Sequence, residues 1–588
     1  MGDVMAFRIN IIPQNITITA QQNELLVDKI QETGINLSVY CNKKGLCGKC
    51  FVEIVDGELP PLEEREEFLL EQKNLEKNYR LACLYKIKGD ISIKIPEESV
   101  LQEAFILKAG IRSSIPLDPA VKKYHLRLKK PEISSPSSLL EILRLHLKEK
   151  NLNIPLDLLK DLGKILEKNK YHVTAVIHKN KEILSIEPLN TLRKNYGICI
   201  DIGTTTLVME LLDLNTGKTI DALTEMNSQV KYGADIISRI SYALSDRKNQ
   251  DELRDSILKT LNGMIKRLLK KNQIHSSSVY EIIAAGNTSM NHFLLGMPVN
   301  TLAAAPYSSV FSCLPELSAH ASGFKINKHG KVYFAPNIKS FVGGDISAGL
   351  VAADLENKKG NFLFIDLGTN GEIVLKKGKK FFATSTAAGP AFEGMNISCG
   401  KLALPGAIFK AEYPDKLKTF TIENKPASGI CGTGLIDLIA VFLEKGEISS
   451  NGTIQNKTKR VAVTSNIFIT QKDVREMQLA VAAIKTGIKM ILQENHVTLE
   501  EIDGIFIAGA FGNYLNIKNS KRIGLLPKID EEKIIFIGNS SLAGARALLL
   551  SSQARKKIES LVKKIQFISL ATEPSFQKNF IDALEFKN

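Results

Sequence analysis

The sequence predicts a multidomain protein of mixed α/β and α+β class, and three observations carry that expectation. The chain has 588 residues, too many for a single core. Its first hundred residues alternate short strand and helix patterns around three closely spaced cysteines. Its back two thirds repeat, about 165 residues apart, an apolar strand that ends in Asp and runs into a Gly-Thr turn.

Composition narrows the class further. An apolar fraction of 44% and a charged fraction of 24% are ordinary for globular protein, so disorder is not expected. No run of 18 or more apolar residues occurs, and the opening MGDVMAFRIN has no apolar signal region, so the expectation is a cytoplasmic protein without a membrane segment. The net charge of +14 would suit a nucleic-acid binder if it were clustered. Residues 1–98, however, carry 16 Asp+Glu against 12 Lys+Arg, about −4, which leaves about +18 on the remainder as scattered Lys. No nucleic-acid partner is expected; the opposite signs of front and back can instead steer a docking event.

FRINIIPQNITITA alternates as two strands with a turn, NELLVDKIQETG reads as a helix ending at Gly, and FVEIVDGE as a strand. Between them lies Cys41-Asn-Lys-Lys-Gly-Leu-Cys47-Gly-Lys-Cys50, and Cys83 follows in Tyr-Arg-Leu-Ala-Cys. Eight cysteines in a chain of this kind are not read as disulfides, and Cys199, Cys313, Cys399 and Cys431 stand singly in apolar or Gly-rich settings as small buried residues. The C-x5-C-x2-C run with a distant fourth Cys matches the way [2Fe–2S] proteins surround a cluster, and Gly45 and Gly48 free the loop to turn its amides toward the sulfides. Zinc is the rival, but zinc ribbons use two C-x2-C knuckles and here the second half is a lone Cys. This front resembles a β-grasp [2Fe–2S] ferredoxin, nearer the adrenodoxin-like branch because five residues replace four in the first spacing. The expected ligands are Cys41, Cys47, Cys50 and Cys83.

The ferredoxin unit is placed at 1–98 and a linker at 99–115. A small α+β unit is placed at 116–190: a strand with Leu126 and Leu128 on one side, a Ser-capped helix in SSPSSLLEILRLHLKEK, a helix in PLDLLKDLGKILEKN, and a hairpin in YHVTAVIHKNKEILSIEP. His125, His146, His172 and His178 are irregularly spaced and read as ordinary histidines.

From residue 194 to 588 the pattern changes. Ile198-Cys-Ile-Asp201-Ile-Gly203-Thr204-Thr205-Thr206 and Phe364-Ile-Asp366-Leu-Gly368-Thr369-Asn370-Gly371-Glu372 are the two repeated turns. In each, a carboxylate at a strand end can hold Mg²⁺ or its waters, Gly permits the turn, and hydroxyls with exposed amides suit phosphate oxygens. Val342-Gly-Gly-Asp345 to Gly349 and Gly538-Asn539-Ser540-Ser541 to Gly544 read as helix starts with small residues, able to cross closely as a hinge between lobes. Gly509-Ala510-Phe511-Gly512-Asn513 follows a buried strand and suits an adenosine ring lying against backbone.

This set resembles the acetate and sugar kinase/Hsc70/actin superfamily, which implies two ribonuclease-H-like halves, lobe one at about 194–347 and lobe two at about 348–588, closing on ATP. Joined to the ferredoxin unit, and with Ala285-Gly286-Asn287-Thr288-Ser289-Met290, Ala388-Gly389-Pro390-Ala391-Phe392-Glu393-Gly394 and Ser428-Gly429-Ile-Cys-Gly432-Thr433-Gly434, it resembles the reductive activators of corrinoid proteins. The resemblance implies a [2Fe–2S] cluster, ATP and Mg²⁺ as cofactors. The partners it implies are a corrinoid (cobalamin-binding) protein as electron acceptor, an upstream low-potential reductant and a homodimeric second copy. Its implied activity is ATP-driven return of Co(II) to Co(I) for methyl transfer. On this reading Asp201 and Asp366 orient Mg²⁺ and water, Gly203–Thr206 and Gly368–Asn370 hold phosphates, and Gly509–Asn513 line adenosine. Glu372 either positions water or pairs with a neighbouring Lys. Asn287 and Thr288 read equally as a helix cap or as nucleotide contacts. The alternatives are a small-molecule kinase with a regulatory iron–sulfur domain and an ATP-binding redox sensor.

Overall fold

The structure is a computed structural model; it describes residues 6–12, 16–33, 35, 37, 50–71, 75–96, 99, 116–133, 137–147, 152–509, 515–570 and 573–587. Cys41, Cys47, Ala510, Gly512, Asn513 and nearly all of the 99–115 linker lie outside them.

The front forms a five-stranded sheet in the order Ile16–Gln21, Ala6–Ile12, Ile91–Lys94, Phe51–Asp56, Tyr79–Leu81. The first strand pairs with the last long one in parallel and its hairpin mate in antiparallel fashion, which is the β-grasp arrangement. Alternation puts Ile9, Ile11, Val52, Ile54, Ile91 and Ile93 inward against the helix Leu26–Glu32, where Leu26, Val27 and Ile30 meet them.

The next unit is a three-stranded antiparallel sheet, Val121–Arg127, His172–His178 and Glu182–Pro188, covered by the helices Leu139–Leu147 and Leu156–Lys168. Ser138 and Glu141 cap the first helix reciprocally. Leu143 on the first helix and Leu162 and Leu166 on the second pack against Val173, Ala175 and Ile183.

The two lobes repeat one topology. Lobe one orders its strands Thr219–Met226, Thr206–Asp213, Tyr196–Ile202, Val279–Gly286, Lys331–Phe334, Leu317–Ser318. Lobe two runs Lys380–Thr386, Gly371–Lys377, Asn361–Leu367, Gly504–Ala508, Ile534–Gly538, with the short Gln566–Phe567 beyond Lys380–Thr386. In both, the central strand pairs antiparallel with the strand that follows its turn and parallel with the buried strand on its other side. Equivalent strands therefore present Asp201 and Asp366 at equivalent ends. The helices Gly344–Ala352 and Ser540–Leu550 cross between the lobes so closely that a Cβ on Gly544 would strike the Ala348 carbonyl, and one on Gly349 would strike the Phe364 ring. Small residues at the crossing were the expected hinge feature, and the backbone contact is their physical reason.

A buried ion network ties the small unit to the lobes. Arg555 donates to both Glu281 oxygens at 2.6 and 2.8 Å, while His178 lies 3.4 Å from Glu281 and Lys179 pairs with Glu316. Among the described residues His178, Glu281 and Glu316 have metal-ligand spacing, but Arg555 and Lys179 already balance their charge. Burial would push the Glu281 carboxyl up; Arg555, then His178, outweigh it and hold it at about 2. Because that lies below the ordinary 4.5, the increment of stability is complete above about pH 4.5 and is lost as pH falls toward 2. Arg555→Leu, which strands a buried carboxylate, is expected to cost about 3–5 kcal/mol at pH 7. The gap from wild type should shrink as pH falls through 4, as urea denaturation at several pH values would read.

Candidate functional site

At the front, Cys50 immediately precedes Phe51–Asp56 and Cys83 follows Tyr79–Leu81. These strands pair with Phe51 opposite Leu81, and the Ala82 amide donates to the Cys50 carbonyl at 2.9 Å. Two cysteines 33 positions apart therefore sit buried at one end of the sheet. Glu66 accepts the Leu81 amide at 2.6 Å, and the Val27 amide donates to the Ala82 carbonyl at 3.0 Å, so the Cys83 turn is pinned from two sides. Paired buried thiols beside an apolar core suit a thiolate-held cluster; Cys41 and Cys47 lie outside the described residues.

The second site is a cleft between the lobes with room for about 270 Å³, walled by Asp201, Gly203–Thr206, Asn287, Asp345, Asp366, Gly368–Asn370, Glu372, Glu393 and Gly509. An apolar end is built by Phe392, Leu402, Phe409, Ile422 and Cys431. The first turn is closed by the Gly203 amide donating to Thr206 O at 3.0 Å; a Cβ there would meet that same oxygen. Asn227 clamps it, taking its place by Nδ2 on Gly203 O (2.9 Å) and by its amide on Thr205 O (2.8 Å). The second turn repeats the pattern with the Gly368 amide on Asn370 O at 3.1 Å.

Four carboxylates converge behind the turns. Asp201 accepts from Asn539 Nδ2 at 2.8 Å and Ser541 Oγ at 2.7 Å, side chains contributed by the crossing helix. Asp345 begins the other crossing helix, and Glu372 stands opposite Asp366 in the hairpin register. Burial, then the Asp345 and Asp201 charges, push the Asp366 carboxyl up to about 8; burial, then Asp201, push Asp345 to about 7. Burial followed by Asp345 and Asp366 lifts Glu372 well above its usual range. Oxygen donors that raise one another in this way suit a hard divalent cation, which would relieve their repulsion. Among the described residues no Lys or Arg makes an ion pair with them, so of the two sequence readings for Glu372 the Lys pair is the one not found. Asn287 both caps the helix Thr288–Leu295, accepting the Ser289 amide at 3.0 Å, and lines the cleft; Thr288 turns its hydroxyl to Lys339 O.

Three features were not anticipated as site residues. In the sequence Asp345 marks a hinge-helix start within a family-like Val-Gly-Gly-Asp stretch, not a site residue. Asn539 and Ser541 likewise read there only as small helix-start residues. Glu393 belongs to the family-like stretch Ala388–Gly394 and carries no site signal of its own, yet its carboxylate accepts Thr205 Oγ1 at 2.7 Å and Thr369 Oγ1 at 2.6 Å, bridging the two turns and hence the two lobes.

A cysteine-bearing ferredoxin fold fused to a two-lobed cleft with paired phosphate turns defines an iron–sulfur protein carrying an actin-like ATPase. Comparison with known families agrees along the chain: residues 9–88 match the 2Fe-2S iron-sulfur cluster binding domain, 110–193 the RACo linker region, 196–358 the RACo middle region, and 360–588 the C-terminal domain of RACo, the ASKHA domain. The chain is 31% identical to the corrinoid activation enzyme RamQ of Eubacterium limosum, over 96% of each chain. It is 27% identical to the [Co(II) methylated amine-specific corrinoid protein] reductase of Methanosarcina barkeri, over 66% of this chain and 77% of that one. A solved structure, the reductive activator for corrinoid,iron-sulfur protein, superposes with a TM-score of 0.76 at 32% identity, over 98% of each chain. The chain belongs to the family of reductive activators of corrinoid proteins. It is an enzyme whose cofactors are a [2Fe–2S] cluster and ATP with Mg²⁺. No helix among the described residues is long and apolar enough to cross a membrane.

Proposed function

We propose that this protein uses ATP to drive an electron from its ferredoxin domain onto the Co(II) form of a corrinoid protein, regenerating Co(I). The observation that carries the reading is the fusion of a cysteine-paired ferredoxin sheet to a cleft whose two phosphate turns belong to different lobes. Cys41, Cys47, Cys50 and Cys83 would hold the cluster, a one-electron carrier whose plant-type members sit near −400 mV. That is a weak donor for Co(I), so the uphill step needs a second source of free energy.

The chain's own residues offer a route. Asp201, Asp345, Asp366 and Glu372 would gather the cation. Gly203–Thr206 and Gly368–Asn370 would take the phosphates, with Gly509–Asn513 toward adenosine. Asn539 and Ser541 hold Asp201 across the crossing helices, so occupancy of the cleft bears directly on the angle between lobes. A lobe angle that changes the grip on a partner shifts that partner's redox equilibrium by the difference in affinity for its two states. An upstream low-potential reductant, a cytoplasmic setting and a homodimer complete the proposal. The test is anaerobic ATP turnover with candidate acceptors: stimulation by a Co(II) corrinoid protein, and none by sugars or carboxylic acids, is expected. Stimulation by a small acceptor that becomes phosphorylated would replace this reading with a kinase.

A further inference from the structure

Arg239 is fully buried, and its hydrogen-bonding partners are neutral. It lies on the helix Ile236–Ser245, whose entry is fixed by the reciprocal Asp235–Ser238 cap. From there Nε donates to Gly233 O at 2.9 Å, Nη1 contacts Met290 Sδ at 3.4 Å, and Nη2 donates to Thr204 O at 2.6 Å. Among the described residues no carboxylate lies within ion-pair distance of it. A buried guanidinium normally has a carboxylate fork to offset its desolvation. Here burial draws it down to about 9, offset in part by the Asp235 and Glu393 charges.

The position explains the exposure to that cost. The atom Arg239 grips hardest is a carbonyl of the first phosphate turn, and the anion now lodged against that turn is Glu393, held by the Thr205 and Thr369 hydroxyls. The cleft also holds Asp201, Asp345, Asp366 and Glu372, none of which attracts a polyphosphate and which repel it wherever they ionise without a cation. Beyond the amides and hydroxyls of the turn itself, a buried positive charge behind it, with no acid in ion-pair distance among the described residues, adds attraction for phosphate there. We propose that Arg239 is a positioning residue of the first phosphate turn, anchoring Thr204 and lending the nucleotide's polyphosphate a counter-charge, while the Glu393 carboxylate is the internal anion which that polyphosphate displaces. The inference deepens the proposed function and rests on its placement of phosphates at the two turns.

The test is binding of ATP, ADP (each with Mg²⁺) and adenosine to the full-length, cluster-loaded protein. Arg239→Met should weaken ATP by about 10- to 100-fold, ADP by less, and adenosine not at all. Arg239→Lys, which keeps the charge and gives up the fork, should recover most of the ATP affinity and keeps the test open if the Met variant does not fold. Glu393→Gln should tighten ATP relative to adenosine. A brace without electrostatic purpose would instead give equal losses for all three ligands, and with Lys as with Met; that pattern overturns the inference. The pair Thr205→Val and Thr369→Val separates the two levels of the argument. If those variants also fail to discriminate ATP from adenosine, the phosphate placement itself is wrong; if they discriminate and the Arg239 variants do not, only the role of Arg239 is wrong.

Discussion

Asp366→Ala is expected to cut Mg·ATP hydrolysis by about 100-fold or more, with the [2Fe–2S] absorbance unchanged. Asp366 ends the central strand of lobe two, where burial, then the Asp345 and Asp201 charges, push its carboxyl up to about 8. A divalent cation held by Asp201, Asp345, Asp366 and Glu372 would favour their ionised forms. Asp201→Ala should be as severe, and it also releases Asn539 and Ser541 from their anchor across the lobes. The same electrostatics fix a pH signature. The folded-state values of Asp366 (about 8) and Asp345 (about 7) lie above the ordinary 3.8, so ionising them opposes folding. In Mg²⁺-free buffer the wild type should therefore lose thermal stability as pH rises from about 4 toward 8. Added Mg²⁺ should remove most of that slope, and Asp366→Asn should flatten it without metal. Near-normal hydrolysis in both Ala variants would show that the carboxylates are not at the reacting phosphates.

Cys83→Ala and Cys47→Ala are each expected to abolish the reducible [2Fe–2S] signal and electron delivery while leaving ATP binding intact. Wild-type protein prepared without oxygen should hold about two irons per chain with acid-labile sulfide. Cys83 sits in a turn pinned by Glu66 on the Leu81 amide and by the Val27 amide on the Ala82 carbonyl, so its substitution is expected to remove the proposed ligand and leave the sheet standing. The ATP cleft draws all of its wall from residues after 200, which separates the two functions physically. Stoichiometric zinc without labile sulfide would overturn the cluster.

What was legible in the sequence is what rests on local pattern. The ferredoxin strands, the two helices and hairpin of the small unit, and both Asp-x-Gly-Thr turns are written in period-2 and period-3.6 alternation or in contiguous turn residues. The first strand of the small unit begins at Val121, a few residues before the alternation that announced it, because its early residues pair with His178 and Ile177 regardless of side-chain pattern. Cys199 and Cys431 are buried small residues as read, and Cys313 and Cys399 half-buried. The unread part is tertiary. Asp345 joins Asp366 only because two crossing helices bring a helix start under a strand end. Glu393 reaches Thr205 across 188 positions and Arg555 reaches Glu281 across 274. Arg239 belongs to none of the sequence motifs; that no carboxylate among the described residues reaches it is a property of what surrounds it, which no local window contains.

The central claim is that ATP and the reduced cluster act together. Raised salt should weaken activation before it weakens ATP binding, since the acidic front and basic remainder suit transient docking. The decisive measurement is the visible spectrum of a Co(II) corrinoid protein mixed anaerobically with this enzyme and a reductant of fixed potential, with and without Mg·ATP. Co(I) is expected only when both reductant and ATP are present, and none with the Asp366→Ala variant even though its cluster still accepts electrons. Equal Co(I) with and without ATP would contradict it.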